Sequence, residues 1–266
     1  INQYYKILKM ERTMTHLKGK HALVTGGGTG IGQGIAVMLS KLGATVTITG
    51  RKIETLTETC SLADNIFPIV MDMASEESVI TGTKSAISER GPTLIHVANA
   101  GIAETMPVHK MELAFWNKIM RTNLDGVFLG IREALPGMRE QNYGRIITIS
   151  SIAGLKGLKY GAAYSASKHA IIGLTKTLSE EYMSTGITAN AICPGYVRTP
   201  IVDRNRDLIA SRSNMTSEQA EKSMSQDNRH KRLIEVNEIT CAAEYLVNKN
   251  SESINGQTLE IAGGQI

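Results

Sequence analysis

Three cysteines, Cys60, Cys193 and Cys241, are too few and too odd in number for a disulfide framework, and none stands in a Cys-x-x-Cys pair. A reducing compartment follows as the expectation, and the protein is read as cytoplasmic. The six histidines form no His-Glu-x-x-His pattern, so the sequence offers no metal site. No apolar run reaches the length that crosses a bilayer. Residues 1–15 are polar, with Lys6, Lys9, Glu11 and Arg12 scattered among them, and no apolar run follows a basic start as in a secretory leader. Residues 1–17 are read as a flexible N-terminal extension and residues 18–266 as one domain. Charge of one sign is not in excess: 29 Lys plus Arg against 25 Asp plus Glu leave +4, too mild to argue for nucleic acid. With 42% hydrophobic residues the chain is not a disordered one. Only six prolines accompany 25 glycines, which excludes collagen-like repeats and marks the glycines as placed for a purpose.

What is present is an alternation. Short β-rich runs recur at residues 22–25, 45–49, 66–70, 94–98, 145–150, 188–193 and 258–262. Helical periods lie between them. Ile31, Ile35, Met38, Leu39 and Leu42 form one stripe, and Trp116, Ile119, Met120, Val127, Ile131, Leu135 and Met138 a second. Ala166, Ala170, Leu174, Leu178 and Tyr182 step by four. Strand alternating with helix predicts right-handed crossovers, hence an α/β fold: a doubly wound Rossmann-type sheet of seven parallel strands with helices on both faces. One segment, 201–232, breaks the pattern. It is polar, with seven basic residues against five acidic, and reads either as a solvated helix pair or as a lid over a substrate cleft.

The first strand runs into Thr25-Gly26-Gly27-Gly28-Thr29-Gly30-Ile31-Gly32, and a helix stripe starts at Ile31. Such a loop turns tightly and presents a helix N-terminus, with its free N–H groups and positive dipole end, to a pyrophosphate. The absence of Gly-Lys-Ser/Thr argues against a nucleoside triphosphatase. Thr25, Gly50-Arg51, Asp72, Asn99, Ser151 and Pro194-Gly195 each fall at or just past the C-terminal end of a different predicted strand, the rim where open parallel sheets bind ligands.

The loop Thr25–Gly32 resembles the TGxxxGxG motif of the classical short-chain dehydrogenases/reductases, and further motifs follow in family order over nearly all of residues 18–266. The resemblance implies that Asp72, with Met73 beside it, contacts the adenine. Asn99-Ala100-Gly101 is similar to the second half of the NNAG motif, with Ala98 where the first Asn would stand. Asn123, Ser151, Tyr164 and Lys168 match the catalytic tetrad, and Pro194-Gly195, with Val197 and Thr199 beyond, matches the loop that cups the nicotinamide. A homotetramer or homodimer is implied as well, paired through the two helices carrying Asn123 and Tyr164, with Gly161, Ala162 and Ala163 as small outward residues.

No acid stands at the end of the second strand to bond a ribose 2′-hydroxyl; the nearest, Glu54, lies in the following helix. Arg51 can instead pair with a 2′-phosphate; the arrangement resembles that of NADP(H)-preferring family members, which implies Thr49 as a hydroxyl partner, with Thr29 standing where many of them carry a second base. NADP(H) is therefore the expected cofactor, with NAD(H) possible. Tyr164 and Lys168, four apart in a predicted helix, share one face. A nearby ammonium lowers a phenol's pKa, so Lys168 is expected to acidify Tyr164 as proton donor to the substrate oxygen, while Ser151 hydrogen-bonds that oxygen. The family resemblance gives Asn123 a water that links Lys168 to solvent. Tyr143 and Tyr160 are rival phenols with no lysine four residues on.

For the substrate, the chain looks most like the 3-oxoacyl-thioester reductase branch, including Ile254-Asn-Gly-Gln257 and Gly263-Gly264. Reductases dedicated to a carrier protein tend to place arginines where Asn142 and Thr185 stand here, which favours an acyl-CoA or a smaller ketone. Steroid, sugar and polyol carbonyls stay open, as does a cofactor-binding sensor without turnover.

Overall fold

Seven runs rich in Val, Ile and Thr become strands within a residue or so of their expected bounds: β1 His21–Thr25, β2 Thr45–Gly50, β3 Ile66–Val70, β4 Thr93–Ala98, β5 Gly144–Ile149, β6 Ile187–Pro194 and β7 Thr258–Ile261. They are seen in a computed structural model that describes residues 16–226 and 228–265. All pair in parallel, in the order β3-β2-β1-β4-β5-β6-β7. The chain reverses direction across the sheet between β1 and β4, the topological switch point of a doubly wound fold.

The helices are α1 Gly30–Lys41, α2 Ile53–Cys60, α3 Glu76–Arg90, α4 Leu113–Met120, α5 Gly126–Glu140, α6 Ala162–Glu181, α7 Pro200–Ser213, α8 Ser217–Ser225 and α9 Val236–Val247. On one face, Ile35 and Leu39 of α1 and Ile239, Ala243 and Leu246 of α9 meet Val24, Ile48, Val97 and Ile147 of the sheet. On the other, Val127, Ile131 and Met138 of α5 and Ile171 and Leu178 of α6 bury against Ala98, Ile146 and Ala189. Strands covered on both faces explain why β5 and β6 are buried along their whole length.

Four findings refine the sequence reading. Leu17 is fully buried and its N–H bonds the Leu42 carbonyl at 3.0 Å, so the packed chain begins before residue 18; residues 1–15 of the expected extension lie outside the described residues. The stripe from Trp116 to Met138 runs through a π-helical turn, Arg121–Asp125, inserted between α4 and α5. Gly161 and Ala163 point inward rather than out. The small residue open to solvent on α6 is Gly173, where an added side chain would meet nothing. Segment 201–232 forms α7 and α8, pinned by a small cluster of Val202, Met224 and Leu233 and by ion pairs such as Arg206–Asp203 at 2.9 Å and Arg198–Glu221 at 3.3 Å. Among the described residues no helix is long and apolar enough to cross a membrane.

Candidate active site

The glycine loop is shaped first by its own packing. A methyl group at Gly32 would lie 2.3 Å from the Gly26 carbonyl oxygen, and one at Gly26, which has φ +66°, would lie 2.9 Å from Asn99 Nδ2. Only glycine lets the first turn of α1 settle this closely onto the β1 end. Thr25 and Asn99 then bolt the ends of β1 and β4 together. The Thr25 hydroxyl accepts the N–H groups of Asn99 (3.0 Å) and Ala100 (3.1 Å), and Asn99 Nδ2 donates to the carbonyls of Thr25 (2.9 Å) and Gly26 (3.1 Å). Both residues therefore build the cradle.

At the mouth of that cradle, α1 begins at Thr29 with no side-chain cap and no acid in its first turn. The donors of Gly30, Ile31 and Gly32 are those that a helix leaves without internal partners, and a pyrophosphate is the kind of anion they bind. Gly28 packs against Thr55 of α2, and Gly30 against the Thr199 methyl, so the β6 loop closes onto the glycine loop. Arg51 is exposed just past β2 with no partner among the described residues. Asp72 is exposed past β3, its carboxylate accepting the Ala74 N–H at 3.0 Å. These features fit a nicotinamide dinucleotide.

Thr49, Met73 and Val197 are among the expected cofactor residues whose side chains are buried. Thr49 is fully buried, so its hydroxyl cannot reach a phosphate beside Arg51; the alternation of β2 turns it into the sheet. Met73 packs with Met71, Val79 and Leu129 and leaves only its backbone near the rim. Val197, 2% exposed, bridges Ile234 behind the loop. Pro194 ends β6, and the Gly195 N–H bonds Ile261 at 3.0 Å, leaving Gly195 at the open edge.

The catalytic candidates converge at the same rim. Ser151 follows β5 directly, and its Oγ accepts the Ala153 N–H at 3.1 Å. Tyr164 and Lys168 share one face of α6, with the Lys168 ammonium 5.7 Å from the Tyr164 ring centre. Asn123 sits in the π turn, fully buried. Its Oδ1 accepts the Ile102 N–H (2.8 Å), and its Nδ2 donates to the Ile102 carbonyl (2.9 Å) and to Ser167 Oγ (3.2 Å). The position a Gly101 side chain would fill lies 3.3 Å from Asn123 Oδ1 and 3.6 Å from Lys168 Nζ, so this glycine leaves a gap flanked by two polar atoms.

The electrostatics differ from the sequence expectation. Burial pushes the Tyr164 phenol up rather than down; hydrogen bonding from Ser151 pulls it back in part, and Tyr196 and Cys193 add to the rise. Lys168 is itself desolvated and lowered to about 8, with Cys193 working weakly against the shift. Its ammonium donates to the Ile149 carbonyl at 2.8 Å. The phenol rises because burial penalises the phenolate by more than the Ser151 hydrogen bond recovers.

The rival phenols fall away. Tyr143 lies at the start of β5, at the far end from Ser151, flanked by Lys20 (3.8 Å) and Arg145 (4.5 Å). Tyr160 is exposed on the loop before α6. Asn142 has φ +45°, a conformation Asn tolerates, and its Oδ1 accepts the Gly186 N–H at 3.0 Å, so the position where a carrier reductase would place arginine serves a turn here. Sequence reasoning missed Ser150, Ser167 and Cys193, which surround Lys168 and Tyr164. Their only sequence signal is adjacency to Ser151, Lys168 and Pro194.

Comparison with known proteins agrees with this geometry. The profile of the short chain dehydrogenase family matches residues 20–209. The chain is 34% identical to the acetoacetyl-CoA reductase of Shinella zoogloeoides, over 92% of this chain and 97% of that protein. It is also 34% identical to the 3-oxoacyl-[acyl-carrier-protein] reductase of Rickettsia prowazekii (strain Madrid E), over 95% and 99%. A solved structure of an actinorhodin polyketide ketoreductase variant with NADPH superposes with a TM-score of 0.89 at 32% identity, covering 92% of this chain and 97% of that one. With its sheet order, its rim of site residues and full-length relatives all in agreement, the chain belongs to the short-chain dehydrogenase/reductase family, oxidoreductases that use a nicotinamide dinucleotide.

Proposed function

We propose that the protein reduces the ketone of a 3-oxoacyl thioester on coenzyme A or acyl carrier protein, or of a smaller β-keto compound, with NADP(H). The reading rests on one observation above all: Ser151, Tyr164 and Lys168 meet at the strand ends between the uncapped start of α1 and the β6 loop. The full-length ketoreductase relatives support the substrate class. Arg51, exposed and without a partner among the described residues, and the lack of an acid at the β2 end support the phosphorylated dinucleotide.

A dinucleotide seated on the α1 N-terminus would supply the hydride. The chain's own residues handle the oxygen. Ser151 Oγ donates a hydrogen bond to the carbonyl oxygen and orients it. Tyr164 Oη–H gives that oxygen its proton as charge develops there. The raised phenol pKa keeps the proton in place until it is needed, and Lys168, lowered to about 8, can exchange protons near neutrality and steady the phenolate. Asn123 Oδ1 and Lys168 Nζ flank the gap at Gly101, which suits a water that returns the proton from solvent.

The helices α7 and α8 serve as the lid over the cleft. The outward faces of α5 and α6, with exposed Phe128 and open Gly173, pair subunits into a dimer or tetramer. NADPH oxidation with acetoacetyl-CoA tests the activity. Tyr164→Phe should lower kcat by about 10²–10⁴-fold with cofactor affinity retained; turnover unchanged by that substitution defeats the assignment.

A further inference from the structure

The loop that carries Ser151 toward Tyr164 is one-sided in charge. Residues 141–179 contain no Asp or Glu, yet the loop holds Lys156 and Lys159. Lys159 lies over the Tyr160 ring at 5.2 Å. Lys156 is half-buried, and its ammonium donates to a neutral acceptor, the Gln265 main-chain carbonyl, at 2.8 Å. No carboxylate lies within ion-pair distance of it among the described residues.

Its location is given by the same residue. The Gln265 carboxamide oxygen reaches Gly195, lying 3.2 Å from the position a side chain there would take. Lys156, five residues after Ser151, is thus tied through Gln265 to the loop that follows β6. An ammonium whose one bond among the described residues goes to a neutral carbonyl keeps donors for an anion.

We propose that Lys156 is a specificity-determining residue that pairs with an anionic group of the substrate lying beyond the reacting ketone. This deepens the ketoreductase reading and rests on it. The anion is either the carboxylate of a free oxo acid or a phosphate of coenzyme A; both are recognised by the same charge-assisted hydrogen bonds. The rival role is a clasp, in which Lys156 only ties residues 263–265 to the loop.

Steady-state kinetics of the full chain with NADPH separate these, using acetoacetate, acetoacetyl-CoA and the neutral ester ethyl acetoacetate. Lys156→Gln should raise KM about tenfold or more for an anionic substrate, with kcat and the ester little changed. Lys156→Arg should restore most of it. The wild-type KM for that substrate should rise with salt, and that of Lys156→Gln should not. Loss confined to acetoacetate identifies the carboxylate, and loss confined to the thioester the phosphates; either supports the proposal. An equal loss on the ester makes Lys156 a clasp and overturns it, as does an unchanged KM for both anions. A wild-type chain that turns over none of the three sinks the ketoreductase reading and this one with it.

Discussion

The Ser150 hydroxyl donates to the main-chain carbonyl of Lys168 at 2.9 Å, and the Lys168 ammonium donates to the Ile149 carbonyl at 2.8 Å. The end of strand β5 and helix α6 are thus laced together just before Ser151. The spacing of Ser151, Tyr164 and Lys168 is set by this lacing as much as by the four-residue step along the helix. Gly154 makes room for it, since a methyl there would lie 2.5 Å from Ser150 Oγ and 2.7 Å from the Lys168 carbonyl.

Gly154→Ala should therefore push α6 away from β5. Stability is expected to fall by about 1–3 kcal/mol, the usual cost of overpacking. The larger effect should be on kcat, with NADPH affinity less changed because the atoms nearest Gly154 belong to Ser150, Lys168 and Ile172 and not to the glycine loop. Denaturant melts and a kcat-against-Kd comparison check both parts.

Arg51 extends from the β2 end without a partner among the described residues, so its removal disturbs nothing else. Arg51→Gln should weaken NADPH binding by about tenfold or more, the scale of a lost charge-assisted pair, and leave NADH binding within about twofold. Thermal shifts or fluorescence titration with each cofactor decide it. Equal loss for both cofactors would remove Arg51 from the 2′-phosphate.

Lys168 is held at about 8 in the folded chain against 10.5 when free. Between these values the unfolded chain binds more protons, so stability rises with pH across that window. Below pH 8 the buried ammonium carries its full cost. Lys168→Met should abolish turnover and yet stabilise the fold at pH 7 by up to about 3 kcal/mol, less what the lost bond to Ile149 returns. The gain should shrink from pH 8 to pH 10.5, as melts of both proteins across that range would record.

His96 on β4 is fully buried beneath Gly130 of α5, with neither ring nitrogen bonded, and burial lowers it to about 4. It stays neutral in the fold, while the unfolded chain takes up the proton near 6.5. Stability is thus full above pH 6.5 and falls as the pH drops through 4, by at most about 3 kcal/mol. His96→Leu should flatten that acid limb of the Tm-against-pH curve.

The sheet was legible because each strand announces itself by a β-branched run, and parallel strands buried on both faces read as near-continuous apolar stretches. The rim was legible for a related reason. Gly26, Gly32, Asn99 and Ser151 are unusual residues at strand ends, and parallel connectivity sends every strand's C-terminal end to one edge. Spacing placed Tyr164 and Lys168 on one helix face, and the family resemblance singled them out. The π turn at Asn123 was not, since apolar periodicity continues through it from Ile119 to Val127 and only the backbone hydrogen-bond pattern registers the extra residue.

Local pattern in the sequence determined the α/β alternation and the glycine-loop cradle, and the family resemblance named the candidate site residues. Tertiary structure decided which of them face the cleft and in what charge state. Thr49 is buried, Thr25 and Asn99 bind each other's backbones, burial raises the Tyr164 phenol, and Lys156 bonds the carbonyl of Gln265, more than a hundred positions away. The reason is physical: period and propensity act between near neighbours in the chain, whereas desolvation and hydrogen-bond partners depend on which distant segments close around a group.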